Sequence, residues 1–292
     1  MIRRTAAAFL LALSLGSVAA LPALAQQAQA SASTAAATAS AATHVSLSAP
    51  DGRAIDVSVW QAENEQAVIL FGHGWGSDPA RYHRIIDYWV GHGFTVIAPM
   101  HTDSMLHPDR ASATPQTIFM TRLVDLAVVR GYVKAQHPGR PLVAAGHSFG
   151  SLNALMEAGA LTVAGPQSDP DVKVVVALSS PGVIPNIVTP TTFASVTAPV
   201  LMVTGDADLV PGFVTDARDH RAPFDTSPAG DKMLVTFAGG DHSLIGNADA
   251  ADFDLIARTT TDFIRAHALG DAAAQTRLNA LTAPEGVTIE RR

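Results

Sequence analysis

Six short apolar runs govern what this chain can fold into. They read AVILFG (67–72), FTVIAP (94–99), PLVAAG (141–146), VKVVVALS (172–179), PVLMVTG (199–205) and KMLVTFAG (232–239). Each is too uniformly apolar to keep one face in water, which is the pattern of a strand buried on both sides. Helical patterns lie between them. Tyr82, Ile85, Ile86 and Trp89 fall on one face of 79–91, which is expected to open after Asp78 as N-cap with Pro79 in its first turn. A long helix is expected over 116–136, a shorter one over 149–159 and another over about 249–268. Strands alternating with helices imply a mostly parallel sheet covered on both faces. Two earlier strands, HVSLSA (44–49) and AIDVSVW (54–60), are joined by a turn at Pro50-Asp51-Gly52 with no helix between them, so they are expected as an antiparallel edge. The expected fold class is therefore α/β, with an eight-stranded sheet. Beyond the last helix the pattern fades.

Composition narrows the chemistry. The formal charge is −7, and no lysine or arginine cluster stands out, so nucleic acid and anionic membranes are poor partners. The chain has no cysteine, which excludes a disulfide framework, a thiol nucleophile and thiolate metal sites. Residues 1–25 have the build of a secretory signal peptide: Arg3 and Arg4, an apolar run from Ala6 to about Val18, then Ala23 and Ala25 at a cleavage site. That run is shorter than the roughly 20 residues of a membrane span, so no membrane anchor is expected. Residues 26–43 are low in complexity and cannot build a core, so they are expected as a flexible leader to a domain at 44–292. The protein is expected to be exported, to the periplasm or beyond.

In open parallel sheets, chemistry gathers at the carboxyl ends of the strands. The fifth strand ends in GHSFG (146–150), which has the form G-x-S-x-G between a strand and a helix. That is a nucleophile elbow: the turn is so tight that small residues are needed on both sides, and it lifts Ser148 above the sheet. It also sets the Phe149 N–H at a helix N-terminus, where negative charge is stabilised. A serine needs a base, and the base needs an orienting acid. His242, in the small-residue loop after the eighth strand, is the candidate base. After the seventh strand, GDADLVP offers Asp206 and Asp208. Asp206 suits the turn itself, whereas Asp208 is better placed to reach the next strand end. Asp208 is therefore expected as the orienter, with Asp206 the alternative. Asp241 is too close along the chain to bond the ring of His242.

Ser148, Asp208 and His242, in that order and at those strand ends, resemble the α/β-hydrolases. The resemblance runs from about His44 to about Ala268 and includes HGWG (73–76) after the third strand. It implies that Trp75 supplies the second backbone N–H of an oxyanion hole, beside Phe149. His73 is expected to be structural. The stretch HGWGSDPARYHRIIDYWVGHGFTVIAPMH (73–101) is similar to the dienelactone hydrolase-like and polyester hydrolase-like branch of that family. Dienelactone hydrolases proper use a cysteine nucleophile, which this chain lacks. An aromatic residue at the position of Trp75 is shared with polyesterases.

These features lead to a serine hydrolase cleaving small-molecule or polymeric carboxylic esters, with no cofactor and no metal. An amidase or acyltransferase could run the same machinery, and a catalytically silent binding protein could share the fold. His101, Asp103 and His107 form a polar loop after the fourth strand whose spacing matches no strong metal site. The 181–198 stretch is too short and too rich in proline and β-branched residues for a cap. An open cleft is therefore expected, with little apolar wall and a preference for short acyl chains; Phe213 and Phe224 are candidates to line its mouth.

Overall fold

A computed structural model describes residues 41–292 of the chain. The expected signal peptide and most of the leader lie outside the described residues. The strands run β1 (Thr43–Ser48), β2 (Ala54–Trp60), β3 (Ala67–Gly72), β4 (Phe94–Pro99), β5 (Leu142–His147), β6 (Val172–Leu178), β7 (Val200–Gly205), β8 (Lys232–Phe237) and β9 (Val287–Arg291). They form one sheet in the order β1-β2-β4-β3-β5-β6-β7-β8-β9. Strands β3 to β8 are parallel; β1 and β2 make the expected antiparallel edge, and β9 closes the other side antiparallel to β8. Among the described residues the sheet thus has nine strands rather than the expected eight. The unforeseen strand, Val-Thr-Ile-Glu-Arg, is short, partly exposed and polar at alternate positions, so it lacks the continuous apolar signature of the buried strands.

The helices are α1 (His83–Gly91), α2 (Pro115–Gln136), α3 (Phe149–Glu157), α4 (Ala222–Thr226), α5 (Leu244–Asn247), α6 (Ala250–Leu269) and α7 (Ala272–Ala280). The first expected helix begins as a separate 3₁₀ turn at Pro79–Tyr82, and the Asp78 side chain caps nothing. Two apolar layers pack against the sheet. One gathers Leu126, Val129, Leu152, Met156, Phe193 and Phe224 around α2 and α3. The other gathers Ile85, Trp89, Ile256, Phe263 and Ile264 from α1 and α6. Within it the indole N–H of Trp89 reaches Thr260 Oγ1 at 3.0 Å, satisfying the one polar atom of a fully buried ring. Among the described residues, no helix is long and apolar enough to cross a membrane.

Among the described residues, no cap covers the carboxyl end of the sheet: 181–198 is turns without a helix. The excursion between β7 and β8 is less irregular than its composition suggests. It carries a 3₁₀ turn at Ala217–Arg221 and then α4. Phe224 of α4 is buried in the core rather than set at the mouth.

Candidate active site

The turn at β5–α3 is tight for a reason visible in the backbone. A Cβ on Gly146 would sit 2.4 Å from the carbonyl of Gly150, and one on Gly150 would sit 2.0 Å from that of Gly72. Side chains are excluded because the first turn of α3 lies directly on β3 and β5. The chain reverses at Ser148, with φ 53° and ψ −122°, a conformation that costs a side-chain-bearing residue of order 1–3 kcal/mol. The Ser148 amide is tied to the Leu178 carbonyl at 2.9 Å, and the Ser151 hydroxyl donates to the Ser148 carbonyl at 2.6 Å. The strained turn is thus held from both sides, with the serine hydroxyl free to point outward.

It points at His242. Nε2 of His242 lies 2.9 Å from Ser148 Oγ, and Nδ1 lies 2.7 Å from Asp208 Oδ1. The structure brings together the three expected side chains from the ends of β5, β7 and β8. Asp208 is fully buried, and Thr204 donates to its other oxygen at 2.9 Å. Burial alone would raise the Asp208 pKa, but hydrogen bonds from His220, His242 and Ser179 outweigh it and hold the carboxyl well below the usual carboxylate range. Asp206 does a different job: its Oδ1 accepts the Gly239 N–H at 2.6 Å, joining the turns that follow β7 and β8. Asp241 is turned to the Ser243 amide.

Trp75 and Phe149 both line the cleft beside Ser148, their rings 5.7 Å apart. Among the described residues, neither backbone N–H has a hydrogen-bond partner, so both are available to an oxyanion. The loop carrying Trp75 is fixed by a buried ion pair. Arg122, on α2, donates to Asp103 through Nε and Nη2, each at 2.8 Å, and to the carbonyls of His73 and Gly74 at 2.8 and 3.2 Å. Asp103 in turn accepts the Gly76 N–H at 2.9 Å. The peptides on both sides of Trp75 are therefore anchored. Burial raises the Asp103 pKa, and Arg122 outweighs it to keep the carboxylate charged. A buried arginine on a helix face has no sequence signature of its own.

His101, Asp103 and His107 do not converge on a metal site. His101 bonds Asp125 at 2.9 Å, and His107 accepts the Asp109 amide at 3.1 Å. His73 is structural, as expected: it donates to the Gly74 carbonyl and accepts the His101 amide, and burial with the nearby Arg122 pushes its pKa well down. His147, the variable residue of the elbow motif, ties the site together. Tyr82 OH accepts the Gly74 N–H at 3.0 Å and donates to His147 Nδ1 at 3.0 Å; His147 Nε2 then donates to the His242 carbonyl at 3.0 Å. One relay thus spans the loops after β3, β5 and β8. Burial and the neighbouring His242 push the His147 pKa down to about 3, so the ring is neutral.

The cleft over the triad holds about 730 Å³. Its wall is more apolar than expected, with Phe119, Phe149, Ile184, Ile187 and Val214, while Trp75 and Phe213 stand half out of the mouth. Among the described residues, the ligand-type side chains that converge are Asp208, His220 and His242, whose nearest donor atoms lie within 4.8 Å of one another. Asp208 Oδ1 faces a ring nitrogen of each of the two histidines.

No protein-family model and no curated protein sequence matches the chain. Solved structures do. The monoglyceride lipase of Saccharomyces cerevisiae, solved as a soluble variant with a substrate analogue, is 13% identical over 79% of this chain and 96% of its own, with a TM-score of 0.63. DcsB, in complex with its substrate analogue, is 14% identical over 78% of this chain and 100% of its own, with a TM-score of 0.59. The esterase domain of a Rhodothermus marinus protein is 14% identical over 78% of this chain and 99% of its own, with a TM-score of 0.56. With strands β1 to β8 in the order 1-2-4-3-5-6-7-8 and a glycine-framed elbow after β5, the chain has the α/β-hydrolase fold.

Proposed function

We propose that this protein is a serine hydrolase of carboxylic esters, working through an acyl-enzyme. The observation that carries the reading is the continuous hydrogen-bonded line from Ser148 Oγ through His242 to Asp208, with two unpaired backbone N–H groups beside the serine. Ser148 Oγ attacks the ester carbonyl as His242 Nε2 takes its proton. The N–H groups of Trp75 and Phe149 hold the oxyanion, each contributing about 3 kcal/mol where such donors have been removed elsewhere. His242 then returns the proton to the leaving alcohol, and the cycle repeats with water to free the acid. Asp208 keeps the imidazole in the tautomer with its proton on Nδ1 and stabilises the imidazolium. The esterase and lipase neighbours support ester substrates. The apolar wall favours an apolar acyl or alcohol group.

Labelling by a fluorophosphonate tests the reading directly. Ser148 should be modified in the native protein and no other serine in the Ser148→Ala variant. A folded protein that the reagent leaves untouched would instead be a binding protein on this fold.

With no cap over the cleft among the described residues, the enzyme works on dissolved esters or exposed polymer chains without interfacial activation. The rate on a partly soluble ester should rise smoothly through its solubility limit. A sharp jump once the ester forms a separate phase would reveal a lid.

Export belongs to the same proposal, and its support is the sequence of residues 1–25. Intact mass of the secreted protein should begin at Gln26; a mature protein that retains Arg3 would refute it.

A further inference from the structure

Asp208 does not serve His242 alone. His220, fully buried in the 3₁₀ turn at Ala217–Arg221, brings Nε2 to 3.0 Å from the same Oδ1 that faces His242. The same nitrogen lies 2.9 Å from the Asp208 backbone carbonyl. The other ring nitrogen, Nδ1, faces the backbone carbonyl of Ser180 after β6. Every partner of this ring is therefore an acceptor: a carboxylate and two carbonyls. A neutral imidazole carries one N–H and one bare nitrogen, so it would bury a lone pair against an oxygen. Only the doubly protonated ring donates on both sides.

The backbone is shaped to allow this. A Cβ on Gly182 would fall 1.7 Å from the carbonyl of Asp219, so the segment after β6 and the turn bearing His220 touch backbone to backbone. Gly182 has φ +63°, where a side chain would be strained as well as obstructed. That contact seats His220 beneath the catalytic acid, next to the Ser180 carbonyl.

We propose that His220 is a permanently charged imidazolium that positions Asp208 and opposes a second positive charge beside it. This deepens the serine hydrolase reading and rests on it. The physical argument is a balance of charges. A lone buried carboxylate at Asp208 would attract positive charge to the space around it. A second cation on the same oxygen offsets that attraction and repels another positive ring, the two imidazoles being 6.1 Å apart. Consistent with the geometry, burial would lower the His220 pKa, but Asp208 outweighs it and the result is raised.

Few other charges bear on the pair. His147, with its ring 4.8 Å from His242, is neutral. On the turn of His220 itself, Arg218 pairs with Asp216, and Arg221 with Asp225 and Glu290; Asp219 completes that turn. Asp206 and Asp241, on the loops beside the triad, bond the Gly239 and Ser243 amides, and Arg81 stands at the cleft. His220 does not touch the substrate, so it acts as a positioning residue.

Two measurements test the proposal. The first is nitrogen-15 NMR of the histidine side chains in the native protein at pH 8, with His220 assigned through its contacts to Ser180 and Asp208. Both nitrogens of His220 should carry protons; one bare nitrogen would overturn the proposal. The second follows the rate of fluorophosphonate labelling of Ser148 against pH, in the native protein and in His220→Gln. Glutamine keeps an N–H donor for Asp208 but no charge. The acid limb should move up by about one pH unit, the scale expected for one partly screened charge at this distance. A purely structural role would lower the rate at every pH and leave the limb in place, and that outcome would also overturn the proposal. If the native protein is not labelled at all, the hydrolase reading fails. The nitrogen spectrum, which needs no reaction, still decides the charge on His220, including in the event that His220→Gln does not fold.

Discussion

Replacing Ser148 by alanine should lower ester turnover by about 10⁵–10⁶-fold, the scale seen when a triad loses its nucleophile. The fold should be untouched. The hydroxyl bonds His242, and the bonds that hold the turn, Ser148 N to Leu178 O and Ser151 Oγ to Ser148 O, do not involve it. Alanine must still accept φ near +53°, a strain that serine already bears. Residual activity should come from the Trp75 and Phe149 N–H groups, which the substitution leaves in place. Steady-state kinetics on a chromogenic ester, with circular dichroism as the control for folding, would settle it. Near-normal turnover in a folded Ser148→Ala protein would sink the mechanism.

Asp208→Asn should cut turnover by about 10⁴-fold through loss of the correct His242 tautomer. An amide at 208 can turn its N–H₂ toward His242 Nδ1, which forces the ring proton onto Nε2, where the serine proton must go. Asp206→Asn is the matched control. Its oxygen can still accept the Gly239 N–H, so it should change turnover little. The reverse pattern, a large loss at 206 and a small one at 208, would reassign the acid.

The three side chains that the structure brings together were legible because each has a local signal. Ser148 is framed by glycines that backbone contact demands, and His242 and Asp208 follow strands whose apolar runs are unmistakable. Choosing Asp208 over Asp206 needed only the reach of a loop. What escaped notice depends on contacts between distant segments. His220 lies in a stretch without periodicity, and nothing in it announces a turn that will press on Gly182 from the loop after β6. Arg122 sits in the middle of α2 like any helix arginine, and its meaning comes from Asp103 and the carbonyls of His73 and Gly74. His147 occupies the variable position of the elbow motif. Other misses were legible. Gly270 in a left-handed conformation ends α6, and Asp271 then caps α7 through its side chain, a stop-and-start signal present in Leu-Gly-Asp-Ala. Val287-Thr-Ile-Glu alternates at the strand period, which identifies β9 once short polar strands are admitted.

That last strand has a practical consequence. β9 pairs with β8 from Met233 to Phe237, and Arg292 bonds back to Lys232 and to the Phe224 carbonyl. Without it, β8 would present a bare row of N–H and C=O groups along Met-Leu-Val-Thr-Phe, a template on which other chains could add and precipitate. Glu290 and Arg291 make the outermost strand an unattractive one to extend. Removing residues 287–292 should therefore bare that row and make the protein prone to aggregate, which light scattering of the truncated protein would show.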